Sequence, residues 1–114
     1  MQFKTKEENI KKMFILFEQN QRLITIKGTE YDILLENLTF PNIVGSENNI
    51  ILSIRFNKNV DLYYLLQKMC EPKYKGLQIS LYNEINIQIS YVFDKKMINI
   101  NNLSNQIFLM EDLT

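Results

Sequence analysis

The sequence contains no histidine, no alanine and no tryptophan, and its only cysteine is Cys70. Histidine is the commonest general base and the usual nitrogen ligand of metals, so most catalytic and metal sites lose their central residue here. One cysteine cannot form an internal disulfide, which fits a reducing compartment. The three glycines, Gly28, Gly45 and Gly76, are scattered, and no glycine-rich loop that could cradle a phosphate is present.

Net charge is also lacking, because 13 basic residues balance 13 acidic ones. With only two arginines and no positive field, the chain is a poor match for nucleic acid. We interpret the lysines near the N-terminus and around Tyr74 as ordinary solubilising residues. The apolar runs are far shorter than the roughly 20 residues that a membrane helix requires, so we expect no membrane partner. The polar, lysine-rich N-terminal residues are not followed by the apolar segment of a secretory signal peptide, so we expect no such signal.

The carboxylates show no metal-loop spacing. Asp32 and Glu36, on one face of a predicted strand, are the nearest local pair, and we interpret them as solvated residues. Cys70 ends an apolar helix face, where a structural thiol is favoured over a reactive one. We therefore predict a non-enzyme without a cofactor, a metal or an evident small-molecule ligand.

The composition favours strands, since the sequence is rich in isoleucine (16 residues) and 46% of it is hydrophobic. Residues 1–114 are expected to form a single domain with its own core. Isoleucine, asparagine and lysine together with an absence of alanine are typical of an AT-rich coding sequence, as in an AT-rich bacterium or a virus of one.

Two helices are predicted. The first spans 5–20, where Thr5 and Glu8 have the spacing of a capping box. Its apolar residues recur on one face, widened by Ile15 and Leu16, so we expect it to lie against a sheet along much of its length. The short second helix is capped by Asn57 or Asn59 and stopped by Pro72. We expect its apolar face, Leu62, Leu65, Leu66 and Met69, to be buried against an open end of the sheet.

Alternating apolar residues predict several strands. A two-residue type II′ loop at Gly28-Thr29 would pair Ile26 with Tyr31 and set Lys27 against Glu30 as an ion pair. A loop marked by Pro41-Asn42 and Gly45-Ser46 leads to a strand over 49–56.

Two further strands cover 77–82 and 85–93. Their apolar residues share a face when Leu81 pairs with Ile87 and Ile79 with Ile89, which requires an odd-length loop centred on Glu84. The segments MINI and QIFLM are predicted as short terminal strands. The fold class is therefore α+β, mainly an antiparallel β sandwich or partly open barrel, with an N-terminal helix and one short central helix.

The outer face of the 77–93 hairpin is uncharged and polar, which suits a protein interface better than free solvent. Tyrosine is enriched at interfaces because it brings a large area and one hydroxyl on few rotatable bonds. We predict that Tyr82 anchors this interface. The predicted interface residues are Gln78, Ser80, Tyr82, Asn86 and Gln88, together with Tyr63, Tyr64 and Tyr74.

The order of strand NIILSIRF, helix VDLYYLLQKMC, loop EPKYKG and hairpin LQISLYNEINIQISYVF resembles the central part of phage tail-tube proteins and their relatives in baseplates and type VI secretion tubes. The resemblance covers about 60 residues and implies a small sandwich or barrel that assembles side by side into rings without catalytic residues. Residues 41–49 are short where tube proteins carry a long stacking loop, which suits a connector, terminator or baseplate component better.

The function that follows is a non-catalytic viral or phage-derived structural protein that acts through protein–protein contacts in a homo-oligomer. The alternative is a small phage-encoded inhibitor that binds and blocks a host defence protein, as anti-CRISPR proteins do. Either function places the protein in the host cytoplasm or in the virion.

Overall fold

The computed structural model describes residues 4–19, 21–38 and 49–114, without the side chain of Leu38. The loop predicted at 41–46 lies outside these residues. The described elements, in chain order, are α1 (Glu7–Glu18), β1 (Leu23–Ile26), β2 (Tyr31–Leu38), β3 (Asn49–Phe56), α2 (Leu62–Met69), a 3-10 helix (Pro72–Tyr74), β4 (Gln78–Leu81), β5 (Ile87–Asp94), a second 3-10 helix (Lys95–Met97) and α3 (Ile100–Glu111).

The five strands form one antiparallel sheet in the order β1-β2-β3-β5-β4. The predicted α+β class and the antiparallel pairing are confirmed. The described strands form a single open sheet, however, and neither a second sheet nor closure into a barrel is present among them. The described residues form three α-helices, whereas two helices were predicted. Helices therefore take the place of a second sheet in covering the core.

The core lies on one face of the sheet. Successive strand residues point to opposite faces, and the register aligns the apolar members of all five strands on the same side. Leu52 and Ile54 of the central strand are fully buried there. The buried apolar residues of the three described helices belong to the same hydrophobic cluster, so these helices cover this face, with Ile10 and Met13 from α1, Leu65 from α2, and Leu103, Ile107 and Met110 from α3.

Helix α1 begins without the predicted capping box. Its N-cap is Lys6 and has no side-chain hydrogen bond, because the Thr5 hydroxyl donates instead to the buried Glu111 carboxylate, at 2.8 Å. Ile15 and Leu16, expected against the sheet, are 53% and 41% exposed. The contact face of the helix is therefore the narrower stripe of Ile10, Met13 and Phe17.

The β1–β2 hairpin has a different register from the predicted one. Ile26 pairs with Ile33, so six residues, 27–32, lie between the last paired residues of the two strands. Gly28 does not adopt the positive φ of a type II′ turn. The loop is tied to its surroundings instead, since the Gly28 amide donates to Asp32 and its carbonyl accepts from Asn57. A shift of two residues keeps every side chain on its predicted face, which is why alternation could not reveal it.

The predicted Lys27–Glu30 ion pair is consequently absent from the described contacts. Lys27 pairs with Asp32 (Nζ–Oδ2 3.5 Å), while Glu30 pairs with Lys4 and Lys58 at 3.1 and 3.2 Å. Those two lysines lower the pKa of Glu30, chiefly by hydrogen bonding and then by their charge.

The β4–β5 hairpin confirms the predicted register. Leu81 pairs with Ile87 and Ile79 with Ile89, and residues 82–86 form a loop of odd length centred on Glu84. The Asn83 side chain accepts from the amides of residues 85 and 86, which shapes the turn. The structure therefore adopts the register that places the apolar residues of the two strands on the same face.

Helix α2 buries much less than expected. Asp61, neither Asn57 nor Asn59, is the N-cap, and its carboxylate accepts from the Tyr64 amide at 3.1 Å. Leu65 is buried and Met69 is partly buried, but Leu62 and Leu66 are 43% and 49% exposed. The prediction that all four residues fill the core is wrong for those two leucines.

The C-terminal segment forms a helix where two strands were predicted. Asn99 caps α3 by accepting from the Asn102 amide at 2.9 Å. Leu103, Ile107 and Met110 have the spacing of a single helical face and are fully buried. The strand prediction relied on two short apolar runs and missed the helical spacing of Leu103, Ile107 and Met110.

Candidate functional site

The second face of the sheet is the candidate functional surface. In the described part of the chain, no helix contributes a buried residue to that side, because the buried residues of all three belong to the core cluster. Val92 is 42% exposed there, and Gln78 and Ser80 are exposed too, whereas Leu34 and Ser53 in the middle of this side are buried. We call this side the uncovered face. Its described members are Leu23, Thr25, Asp32, Leu34, Glu36, Asn49, Ile51, Ser53, Arg55, Gln78, Ser80, Gln88, Ser90, Val92 and Asp94.

A hydrogen-bonded polar network occupies the middle of the uncovered face. Ser53 and Ser90 lie opposite one another on β3 and β5, and their hydroxyl oxygens are 2.9 Å apart. The Gln88 amide nitrogen donates to both hydroxyls at 3.1 Å, and its carbonyl accepts from Arg55 Nε at 2.5 Å. Each side chain is therefore held by its neighbours. A surface fixed in this way loses little conformational entropy when a partner binds.

Tyr82 and Asn86 close the end of the β4–β5 hairpin. The Tyr82 hydroxyl donates to the Phe56 carbonyl at 2.8 Å and accepts from the Asn86 amide at 2.9 Å. The Arg55 guanidinium lies 5.1 Å from the centre of the tyrosine ring, within the range of a cation–π contact. Tyr82 thus joins the hairpin to the end of β3. This structural role adds to the predicted interface role, which remains a prediction.

Asp32 and Arg55 form an opposite-charge cross-strand pair on the same face. Burial by itself would raise the pKa of the Asp32 carboxyl. Hydrogen bonds from the Gly28 amide and the Asn57 side chain, together with the charge of Lys27, outweigh burial and lower that pKa. Asp32 is therefore an ionised acceptor and a poor candidate for a general acid, and its side chain, 15% exposed, is less solvated than predicted.

Three of the predicted interface residues, Gln78, Ser80 and Gln88, lie together on the uncovered face. Tyr63 and Tyr64 lie on α2, away from that face, and are 82% and 53% exposed. Tyr74 is a correction, because it is 1% exposed and belongs to the core. Its hydroxyl donates to Asp112 at 3.3 Å, so it anchors the C-terminus of α3 and has no free surface to offer.

Sequence reasoning missed the β3 half of the uncovered face. Ser53 and Arg55 alternate with the buried Leu52 and Ile54 within the segment NIILSIRF. The same alternation that identified Gln78 and Ser80 was therefore present in β3, although the apolar Ile51 partly obscured it. Register then places Ser53 opposite Ser90, which no local pattern specifies.

A second polar cluster is buried on the helical side. Glu111 of α3 is 5% exposed, and its Oε2 accepts from the hydroxyls of Thr5 and Tyr31. Its Oε1 is buried and has no hydrogen-bond partner among the described residues. Burial, and then the hydrogen bond to Glu111, raise the pKa of the Tyr31 hydroxyl. The cluster ties the segment before α1, β2 and α3 together.

Metal-binding and nucleophilic groups do not converge in the described ranges. No group of three or more histidine, cysteine, aspartate or glutamate residues there could hold a metal ion. Asp32 and Glu36 share a face but lie four residues apart on an extended strand, about 13 Å. Cys70 is exposed at the C-terminal end of α2, where the helix dipole does not favour a thiolate.

The chain matches no protein-family model, and no curated protein is similar enough in sequence to count as a relative. Among the described helices, none has the length and apolar character needed to cross a bilayer.

Proposed function

We propose that this chain is a non-catalytic interaction protein and that the uncovered face of its sheet is the surface that contacts other protein subunits. The observation that carries the proposal is the polar network of Ser53, Arg55, Gln88 and Ser90. Its side chains are fixed by hydrogen bonds at 2.5–3.1 Å on the side of the sheet opposite the core cluster. Ser53 is buried, so Arg55, Gln88 and Ser90, which are partly exposed, are the members that can contact a partner. A rigid surface of this kind supplies hydrogen bonds to a partner at low entropic cost.

The chemistry of the face favours a protein partner over a polyanion. Arg55 faces Asp32 on the opposing strand, and Glu36 and Asp94 add two exposed carboxylates to the same side, so the face carries excess negative charge and would repel a polyanion. The exposed apolar residues Leu23 and Val92 lie on the same face. A polar surface with separate apolar contacts is the usual composition of a non-obligate protein interface.

The specific role we propose is a component of a viral assembly, such as a tail connector or baseplate protein. The succession of β3, α2 and the β4–β5 hairpin supports this role, because it is the element order on which the resemblance to tail-tube proteins rests. The open sheet and the additional helix α3 differ from the sandwich or barrel that the family implies. A connector or baseplate role is the form of the proposal that tolerates these differences best.

The test is multi-angle light scattering over a concentration series from micromolar to millimolar. We expect the mean mass of the wild-type protein to rise above that of a monomer. Val92→Glu places a charge in the uncovered face at a half-exposed position and should lower the mean mass. Ile15→Glu is the matched control, because Ile15 is also apolar and about half exposed but lies on α1.

An unchanged mean mass for Val92→Glu would contradict a role for this face in assembly. A wild-type protein that stays monomeric at every concentration would contradict assembly altogether. In that case the inhibitor hypothesis predicts that the monomer binds a host defence protein and that Val92→Glu abolishes the binding.

A further inference from the structure

Strand β4 forms an open edge of the sheet, and the register shows which of its backbone groups are free. The Tyr82 amide donates to the Asn86 carbonyl at 3.2 Å. Antiparallel ladders alternate between hydrogen-bonded and non-hydrogen-bonded pairs, so Ser80 and Gln78 also bond inward to β5. Ile79 and Leu81 must then direct their amide and carbonyl groups outward. Within the described residues no strand pairs with that side of β4.

The open edge of β4 lacks the usual protection against strand pairing. Residues 76–83 carry no charge and no proline, and Leu81 is 61% exposed. Edge strands commonly avoid pairing through lysines, prolines or bulges. The other edge, β1, is closely flanked by Arg22 and Lys27. β4 is therefore the edge suited to accept another strand.

We propose that a second copy of this chain pairs with β4, antiparallel and about a two-fold axis, in a register centred on Ser80. The outward groups of Ile79 then meet those of Leu81 in the second copy, and the reverse pair completes four backbone hydrogen bonds. A register centred on Ile79 is poorer, because it would require the Leu77 amide, which already donates to the Tyr74 carbonyl at 3.2 Å.

Side-chain complementarity supports this register. On the core side, Leu81 of each copy lies against Ile79 of the other, which covers an apolar side chain that is 61% exposed in the monomer. On the uncovered face, the two Ser80 residues form a non-hydrogen-bonded pair. Ser53 and Ser90 have that same geometry in the present sheet, with hydroxyls 2.9 Å apart.

The dimer would extend the polar surface without a break. Asp32, Arg55, Gln88 and Ser80 lie in one row across four strands. Two-fold pairing at Ser80 places this row next to the same row of the second copy. The combined row then contains four residues from each chain. The uncovered faces become one face of a ten-stranded sheet, five strands from each chain.

Strand direction favours a two-fold dimer over a ring closed through the sheet edges. Each strand is antiparallel to its neighbour in the order β1-β2-β3-β5-β4, so β1 and β4 point the same way. Head-to-tail pairing of β4 with β1 of the next copy would be parallel, whereas β4 with β4 is antiparallel. Parallel pairing is the less stable kind per residue.

The test is disulfide trapping in a Cys70→Ser background, which removes the exposed native thiol. In the proposed register, Ser80→Cys sets two thiols on residues whose Cα atoms are about 4.5 Å apart, close enough for a disulfide. Diamide serves as the oxidant and takes up the two thiol hydrogens. Gln78→Cys is the matched control, since it is exposed on the same face but its two copies lie about 13 Å apart along the strands.

We expect at least about tenfold more disulfide dimer from Ser80→Cys than from Gln78→Cys, because thiols four residues out of register do not meet in the folded dimer. Equal trapping of the two variants would indicate random collision and overturn the proposal. No dimer from either variant would overturn it as well. If the two variants are mixed and the disulfide between Ser80→Cys and Gln78→Cys forms in preference to either homodimer, the strands pair in a register centred on Ile79 instead.

Because the inference deepens the proposed function by naming one partner, a second comparison separates their failures. Leu81→Lys adds a charge to the edge, and Ile85→Lys adds the same charge to the nearby loop at a position 70% exposed. We expect Leu81→Lys, but not Ile85→Lys, to abolish trapping of Ser80→Cys. If mean mass falls with Val92→Glu but not with Leu81→Lys, the uncovered face mediates assembly and the edge inference is wrong. The opposite pattern would support the edge and contradict the proposed role of the face.

Discussion

Replacing Tyr31 by phenylalanine removes a single hydroxyl from the buried contact with Glu111. The ring is 7% exposed and lies in edge contact with Phe56, 6.2 Å between ring centres, so the packing should persist. Glu111 keeps the Thr5 hydroxyl as a donor at 2.8 Å. A hydrogen bond to a charged group contributes about 1.5–3 kcal/mol, so we expect Tyr31→Phe to lower the free energy of unfolding by about 2 kcal/mol.

Urea denaturation followed by circular dichroism measures this change, and a melting curve should shift downward by about 6–12 °C for a domain of this size. Tyr63→Phe is the matched control, because Tyr63 is 82% exposed and its hydroxyl should contribute less than about 0.5 kcal/mol. In a Glu111→Gln background the cost of Tyr31→Phe should fall by at least about 1 kcal/mol, since the charge-assisted bond is then absent.

The pH dependence adds a second readout. Folding raises the pKa of the Tyr31 hydroxyl. Its contribution to stability is therefore complete below the unfolded value, near 10, and is lost as pH rises toward the folded value. The difference between wild type and Tyr31→Phe should stay constant from pH 7 to about 9 and shrink above about 10. A cost below about 0.5 kcal/mol at pH 7, or an equal cost in the Glu111→Gln background, would refute this account of the cluster.

Three further predictions concern the sheet. Ile87→Ala opens a cavity at a buried position and should cost about 3 kcal/mol in urea denaturation; Leu81→Ala, half exposed on the same hairpin, should cost much less. Tyr82→Phe loses the bond to the Phe56 carbonyl and should cost about 1 kcal/mol; no change in melting temperature would contradict the role of this bond. Asp32→Asn should destabilise the protein at pH 7, and because folding lowers the pKa of Asp32, the difference from wild type in denaturation curves should shrink as pH falls below about 5 and vanish only below the folded pKa.

Alternation made the sheet faces predictable. Apolar residues two apart in β4 and β5 identified the core side, and only one register could bring those residues together, so Leu81 opposite Ile87 followed from the sequence. The same reasoning placed Gln78, Ser80 and Gln88 on the uncovered face. For β1 and β2 two registers satisfied the alternation equally well. The choice between them depends on Asn57, which follows β3 and contacts the loop.

Burial of the helices was much less predictable. Leu62 and Leu65 have similar local surroundings in the sequence, yet one is 43% exposed and the other 1%. Which apolar residue enters the core depends on where the helix meets the sheet and on the other helices that cover it. The C-terminal segment shows the same limit, because its apolar runs fit strands locally and became a helix that buries Leu103 and Ile107.

The sequence by itself determined the absence of histidine and of net charge, the strand-rich α+β class and the two faces of the last hairpin. These properties depend on composition and on contacts between neighbours in the chain. Tertiary structure alone decided that three helices cover one face, that Tyr74 is buried, and that Ser53, Arg55, Gln88 and Ser90 meet on the other face. Such contacts join residues 33 to 37 positions apart. No local period specifies them, because they depend on how separate strands are aligned when the sheet forms.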